Sequence, residues 1–166
     1  MKHNLTGKYG KITLIPLEES HIEEMRVLRN KNKDFFVYSG VISESDQKSW
    51  YNKYLLTEGD FAFSVMLEDT WIGSVSIYNV DTENQTAEFG RLLVDRDKAN
   101  QKGLGVDTTI CACNIAFAQL NINKITLQVY DDNIAAYKTY LKSGFTEVGF
   151  SFDKNGKKLI DMILKK

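Results

Sequence analysis

The sequence predicts an α+β fold built as an α/β sandwich of three layers, with a mixed, mostly antiparallel central sheet of about seven strands flanked by about four helices. Three observations predict it. β-rich runs and helical patterns follow one another in the order β, α, α, β, β, β, α, β, α, β, β. Three of the strands succeed one another between Phe61 and Val94 with only turns between them, which makes an antiparallel meander. Val106 to Leu120 is apolar on nearly every face, so that helix must be buried against the sheet. With 166 residues, 43% of them hydrophobic, the chain can build one good core but not two ordinary domains, so residues 1–166 are read as a single domain.

The elements follow in order. Lys11 to Pro16 alternates and is rich in Ile, Thr and Leu, which predicts a first strand ending at the only proline of the chain. Ile22, Met25 and Leu28 recur at helical spacing, with Glu19, Glu23 and Glu24 suited to the first turns and Arg26 and Arg29 to the last. Ser43 and Asp46 have capping-box spacing and open a second helix that carries Trp50, Tyr54 and Leu55. Phe61 to Leu67 and Trp71 to Val80 are joined by Glu68-Asp69-Thr70 into a hairpin, which Thr86 to Val94 extends. In the long apolar helix the expected stripe is Val106, Ile110, Cys113, Phe117 and Leu120. Ile125 to Tyr130 is a strand, Asn133 to Lys142 a short helix ending at Gly144, and Phe145 to Phe152 a strand. Asn155-Gly156 marks a tight hairpin into a last strand at Lys158 to Leu164.

Composition excludes several classes of function. Acidic and basic side chains number 22 against 21, with signs mixed along the chain, so no broad field favours nucleic acid or an anionic membrane. The expected partner is a small molecule. Met1 to Lys11 lacks the apolar core of a secretory signal, and no segment reaches membrane-spanning length. Cys111 and Cys113 sit two apart in an apolar helix, where they point to different sides and read as core filler rather than a metal clamp. A reducing, cytoplasmic location fits, and no metal is expected. The edges of the meander and of the terminal hairpin leave pairing into a homodimer open.

Asn100-Gln101-Lys102-Gly103-Leu104-Gly105 lies between a predicted strand and the buried helix, so its backbone N–H groups converge near the positive end of that helix. Such a turn suits phosphate oxygens, with glycine sparing both the dihedrals and the approach of an anion, and Lys102 adding positive charge. A Rossmann fingerprint would place glycine at Thr108, and a nucleotide-triphosphate loop would end in Gly-Lys-Ser/Thr where this chain has Val106-Asp107. An ordinary strand-to-helix turn remains the plain alternative.

A third pattern fits better. The turn resembles the Gln/Arg-x-x-Gly-x-Gly/Ala segment of the GNAT superfamily of N-acetyltransferases, with Asn100 where that family has Arg or Gln and about one residue more between Val94 and the turn. A second segment, Asn133-Ile-Ala-Ala136-Tyr-Lys-Thr-Tyr140-Leu-Lys-Ser-Gly144-Phe145, resembles the Asn-x-x-Ala-x-x-x-Tyr-x-x-x-Gly-Phe stretch of the same family, in family order and spacing. The likeness covers nearly the full length. It implies acetyl-CoA as cosubstrate, held by Leu93, Val94, Asn100, Gln101, Lys102, Gly103, Leu104, Gly105, Val106, Asn133, Ala136 and Tyr140. Asn133 and Tyr140 emerge on one helix face roughly 10 Å apart, so one extended ligand reaches both. The resemblance implies pantetheine beside Asn133 and the thioester sulfur beside Tyr140. It also implies that the strand at Leu92, Leu93 and Val94 splays from its neighbour, with a backbone N–H near Leu93 facing the thioester carbonyl.

Direct transfer needs a neutral amine, yet alkyl ammonium groups, with pKa values of about 8 to 10, are mostly protonated at neutral pH. Glu88 lies mid-strand, where Glu is depleted, and shares a face with Gly90 and Leu92 if alternation holds, which makes it the candidate base. Ala87-Glu88-Phe89-Gly90 resembles the Glu-bearing strand of the branch that acetylates ribosomal protein N-termini and amino sugars. A thiolate leaving group, of pKa about 8.5, takes its proton from Tyr140, and no covalent enzyme intermediate is needed. The activity that the resemblance implies is an N-acetyltransferase acting on a primary amine of a small molecule or peptide, such as a nucleotide-linked amino sugar or a protein N-terminus, with small polyamines and antibiotics also open; a polyamine calls for clustered carboxylates, some of which Glu18, Glu19, Glu23 and Glu24 provide. The alternative is an inactive CoA-binding module of the same fold. The resemblance puts specificity in Glu18 to Thr57, where Arg26, Arg29 and Asn30 share a helix face suited to an anionic group and Phe36, Tyr38 and Trp50 supply aromatic surface.

Overall fold

Eight strands form one sheet in the order β1-β2-β3-β4-β5-β6-β8-β7 in a computed structural model that describes residues 1–36 and 40–166. The strands are β1 (Gly7–Tyr9), β2 (Ile12–Pro16), β3 (Phe61–Leu67), β4 (Thr70–Asp81), β5 (Thr86–Val94), β6 (Lys124–Tyr130), β7 (Thr146–Phe152) and β8 (Lys158–Lys165). The helices are α1 (Ile22–Lys31), α2 (Glu44–Leu56), α3 (Arg96–Ala99), α4 (Leu104–Gln119) and α5 (Ile134–Lys142). Every adjacent pair is antiparallel except β5 with β6. The predicted mixed, mostly antiparallel sheet is present with one strand more than expected. β1 escaped notice because Gly-Lys-Tyr carries no apolar alternation and depends on its register with β2 across the Gly10 turn.

Two apolar clusters divide the layers. On one face α1 and α2 bring Ile22, Met25, Leu28, Tyr51 and Tyr54 onto Leu17, Ala62, Trp71 and Leu93. On the other, α4 and α5 bury Leu104, Cys111, Ala112, Ile115 and Tyr140 against Val65, Ile77, Phe89 and Ile125. The face of α4 that is most buried runs through Leu104, Thr108, Cys111, Ala112, Ile115 and Ala116, while Val106, Ile110 and Phe117 of the expected stripe lie at its flanks. A helix apolar all round carries no periodic signal for which side meets the sheet. Cys111 and Cys113 are free and buried, as core filler should be.

Local chemistry explains the ends of the elements. Ser43 and Asp46 close a reciprocal capping box, with the Asp46 N–H donating to Ser43 Oγ at 3.1 Å and the Ser43 N–H to Asp46 Oδ2 at 3.4 Å. Asp95 Oδ1 accepts from the N–H groups of Asp97 and Lys98 at 3.0 and 3.2 Å, which turns the long approach after β5 into the single-turn helix α3. At the last hairpin Gly156 adopts φ 79° and its N–H donates to the Asp153 carbonyl at 2.9 Å.

Candidate active site

Glu88 and Tyr140 lie next to the place where the sheet opens, Glu88 as the last β5 residue paired to β6 and Tyr140 packed on its neighbour Phe89. β5 and β6 pair over three residues only, Thr86–Glu88 against Lys124–Thr126. Beyond them β5 stays with β4 and β6 with β8, so the edge of β5 from Phe89 to Val94 has no strand partner across the gap. This is the splay expected at Leu92, Leu93 and Val94, and it leaves main-chain donors available to a ligand.

A bulge sits inside the splay. Gly90 pairs with Ser76 and Leu93 with Ser74, so Arg91 and Leu92 together face the single residue Val75, and Arg91 takes φ 55°. The bulge reverses the alternation. Ala87 and Phe89 pack in the α4–α5 core, but past the bulge Leu92 and Val94 do so, while Leu93 turns into the α1–α2 core. The common face expected for Glu88, Gly90 and Leu92 is therefore broken after Gly90.

Helix α5 is fastened at both ends. Asn133 Oδ1 caps the helix by accepting from the Ala136 N–H at 3.3 Å, so Asn133 precedes the helix rather than opening it. At the other end Gly144 takes φ 100°, its N–H donates to the Leu141 carbonyl at 3.1 Å, and the Phe145 N–H donates to the Tyr140 carbonyl at 3.0 Å. This is a Schellman motif, and it brings the Phe145 ring to 6.2 Å from that of Tyr140. Phe89 closes the trio at 5.7 Å from Tyr140 and 6.2 Å from Phe145. The Gly-Phe pair of the motif thus holds the tyrosine ring at the opening. Tyr140 is 8% exposed; burial pushes its phenol well above the ordinary range, with nearby Tyr78 adding to the rise.

The glycine turn ends in α4, which begins at Leu104, two residues earlier than Val106. Gly103 precedes it at φ 83° and no side chain caps it, so the first-turn N–H groups of Leu104, Gly105 and Val106 are left for an outside acceptor. A Cβ on Gly103 would meet nothing within 4 Å, so the requirement there is the dihedral angle. A Cβ on Gly105 would come 3.6 Å from Thr139 Cγ2, an ordinary contact against α5. Asn100 ends α3 in the left-handed region at φ 43°, while Gln101 and Lys102 are exposed. An uncapped N-terminus of a 16-residue helix, with Lys102 beside it, fits the pyrophosphate of a CoA ligand.

Glu88 is half-buried at the last paired position, and its Oε1 accepts from Asn79 Nδ2 at 2.9 Å. Directly across the ladder stands Tyr78, whose hydroxyl lies so close over Gly90 that a Cβ there would be 2.8 Å away. The Arg91 guanidinium stacks 4.4 Å from the centre of the Tyr78 ring and donates from Nη1 to both Asp60 oxygens at 2.8 and 2.9 Å. Burial raises the Tyr78 phenol, and the Glu88 charge adds to the rise against opposition from Arg91. Sequence reasoning missed Tyr78, Arg91 and Asp60. The one available signal was Gly90, since glycine inside a strand pattern marks a close approach.

The residues expected to bind substrate are less concentrated. Arg26 pairs with Glu23 at 2.6 Å and donates to the Ile42 carbonyl at 3.1 Å. Asn30 both donates to the Ile42 carbonyl at 2.9 Å and accepts its N–H at 2.8 Å, so the two side chains hold the loop between α1 and α2. Arg29 stacks on Phe36 at 3.8 Å, and Trp50 stacks on Tyr54 at 5.4 Å. Tyr38 lies outside the described residues. A cleft of about 260 Å³ opens beside α1, lined by Glu23, Glu24, Val27, Leu28, Trp71 and Lys98 among others; neither Glu88 nor Tyr140 lines it. Among the described residues no group of three His, Cys, Asp or Glu is placed to hold a metal, and no helix is long and apolar enough to cross a membrane.

Residues 11–146 match the acetyltransferase (GNAT) domain family. Among solved structures, the chain is similar to the spermidine N-acetyltransferase of Vibrio cholerae in complex with CoA and spermine, at 23% identity and TM-score 0.81, over 93% of this chain and 95% of that one. A chimera of the Vibrio cholerae enzyme with hSSAT aligns at 23% identity and TM-score 0.84, over 94% and 96% of the two chains. These likenesses establish the fold.

Proposed function

This chain belongs to the acetyltransferase (GNAT) domain family, and from that premise we propose that it moves an acetyl group from acetyl-CoA directly onto a primary amine at the opening between β5 and β6. The observation that carries the reading is the opening itself, with Tyr140 of α5 at one wall and Glu88 of β5 at its threshold.

Acetyl-CoA as cosubstrate supplies an acetyl group activated as a thioester. The first turn of α4 and Lys102 bind its pyrophosphate, and the amide of Asn133, whose Oδ1 is engaged in capping, offers Nδ2 to the pantetheine arm. The unpaired β5 backbone near Leu93 donates to the carbonyl as negative charge develops on it. Glu88 accepts the proton of the incoming ammonium, directly or through water, and Tyr140 donates to the departing sulfur.

Arg26 and Asn30 are engaged with Glu23 and Ile42, which leaves them poorly disposed to grip a phosphate. This favours an acceptor recognised by its amine, such as a polyamine or a protein N-terminus, over a nucleotide-linked sugar. The spermine in the Vibrio cholerae complex agrees with the first of these. The test is an amine panel of spermidine, spermine, N-terminal peptides and amino-sugar nucleotides, incubated with acetyl-CoA and read by mass. Acetyl gain on a polyamine or a peptide supports the reading. Saturable CoA binding with no turnover of any amine identifies a binding module and sinks it.

A further inference from the structure

Arg91 stands in left-handed backbone at φ 55°, which residues other than glycine rarely adopt, and it owes that conformation to the bulge in β5. The bulge aims its side chain at two supports. Nη1 donates to both oxygens of Asp60 at 2.8 and 2.9 Å, and the guanidinium carbon lies 4.4 Å from the centre of the Tyr78 ring. Asp60 is itself buried and fixed: its carbonyl accepts from Lys2 Nζ at 2.6 Å, and the carbonyl of the preceding Gly59 accepts from the Val80 N–H at 3.1 Å. The ion pair with Asp60 occupies Nη1 alone. Nε and Nη2 have no hydrogen-bond partner among the described residues, and neither is sealed from solvent, the side chain being 35% exposed. A guanidinium locked at one corner, with the rest of its fork open, is preorganised to receive an oxygen atom.

Tyr78 ties this guanidinium to Glu88. The tyrosine on whose ring Arg91 lies faces Glu88 directly across the β4–β5 ladder, and Asn79 Nδ2 holds the Glu88 carboxylate at 2.9 Å. Residues directly opposite in a ladder have Cβ atoms about 5 Å apart, so a carboxylate and a guanidinium that flank the same ring stand within the span of one short molecule. An amine that approaches Glu88 brings the groups on its neighbouring carbon to Arg91. An oxygen there gains a charge-assisted hydrogen bond, whereas a second ammonium meets like charge.

We propose that Arg91 is a specificity-determining residue that binds the carbonyl or carboxylate oxygen of an α-amino acceptor, in which the amine and the oxygen-bearing group share one carbon atom, as in an amino acid or at a peptide N-terminus. The inference rests on the acetyl-transfer reading and narrows its acceptor away from polyamines. Asp60 and Tyr78 serve it by fixing the guanidinium, and the Asp60 charge offsets that of Arg91, so that the ammonium form of the acceptor can still approach Glu88.

The experiment measures kcat/KM for alaninamide and for 3-methyl-2-butanamine, whose isopropyl group replaces the carboxamide, with wild type, Arg91→Met and the double variant Asp60→Asn/Arg91→Met. The ratio of alaninamide to its isostere is expected to fall about 10- to 100-fold in both variants, the worth of a hydrogen bond to a charged group. Comparing ratios between enzymes cancels the differing basicity of the two amines. The double variant removes both charges together and carries the test should Arg91→Met, which strands the buried Asp60, fail to fold. Free alanine, an alanyl tripeptide and spermidine are run alongside. Preference for alanine or for the tripeptide, with the same fall in the ratio, supports the assignment and tells which source supplies the acceptor. A ratio unchanged in the variants, an equal loss on every acceptor, or a wild type that prefers spermidine to all the α-amino compounds overturns the role of Arg91 while leaving acetyl transfer standing. Absence of turnover of any amine by wild type overturns both.

Discussion

Gly73→Ala is expected to damage the site from a residue that touches no ligand. Gly73 pairs with Val94 in the β4–β5 ladder, and a Cβ on it would lie 2.0 Å from the Leu93 carbonyl oxygen and 2.9 Å from the carbonyl carbon. Ordinary contact begins near 3.4 Å, so one backbone must move by more than an ångström, and neither neighbour is a flexible side-chain tip. Overpacking of this kind costs about 1–3 kcal/mol. The shift also threatens the hydrogen bond from the Asp95 N–H to the Ile72 carbonyl and one ladder bond, each about 1 kcal/mol net. The total is about 3–5 kcal/mol, or about 6–20 °C in Tm for a chain of this size. Because the displaced residue is Leu93, KM for acetyl-CoA should rise about two- to tenfold, the equivalent of one hydrogen bond. Calorimetry and initial-rate kinetics read both effects. Gly156→Ala is the comparator: its φ of 79° imposes strain of about 1–2 kcal/mol, but a Cβ there meets nothing within 4 Å, and KM should not change. A Gly73→Ala protein that melts with wild type and keeps its KM would refute the close approach of β4 to β5 and the placement of the thioester against Leu93.

Further outcomes follow from the same structure. Burial pushes the Cys111 thiol up to about 11 and raises Cys113 further, so neither should react with an alkylating reagent at pH 8 until urea unfolds the chain, as mass spectrometry would show. Ser43→Ala removes one half of the α2 capping box and should cost about 1 kcal/mol in denaturant unfolding, with Ser43→Gly costing less. Asp153 accepts from the N–H of Lys157 at 2.9 Å, the N–H of Asn155 at 2.8 Å and the Tyr130 hydroxyl at 2.9 Å, which together hold its carboxyl below the usual range. A depressed folded pKa makes its contribution full above the unfolded value and lost as pH falls through the folded one. Asp153→Asn should therefore lower stability at neutral pH and flatten that acid-limb loss in a pH series of melts.

Most of the fold was legible because its signals are local. The meander, the Ser43–Asp46 capping box, the Asn155-Gly156 hairpin and the short helix before Gly144 each rest on residues a few positions apart. Around the candidate site, local patterns announced the glycine turn at Gly103 and the short helix that carries Tyr140, because each rests on residues a few positions apart. It was not legible where long-range register decides. The bulge at Arg91 depends on how β5 meets β4, and it turns Leu93 away from the face that simple alternation assigns. Tyr78, Arg91 and Asp60 come from three separate segments, and nothing in their own neighbourhoods announces that they meet. Arg26 and Asn30 share a helix face as their spacing indicates, yet spacing says nothing of the loop at Ile42 that occupies them.

The most direct test is a crystal structure of the protein grown with CoA. The expected result is pyrophosphate at the first turn of α4, pantetheine running between β5 and β6 beyond Glu88 and Thr126, and sulfur beside the Tyr140 hydroxyl. CoA lodged instead in the cleft beside α1, with the gap between β5 and β6 empty, would contradict it.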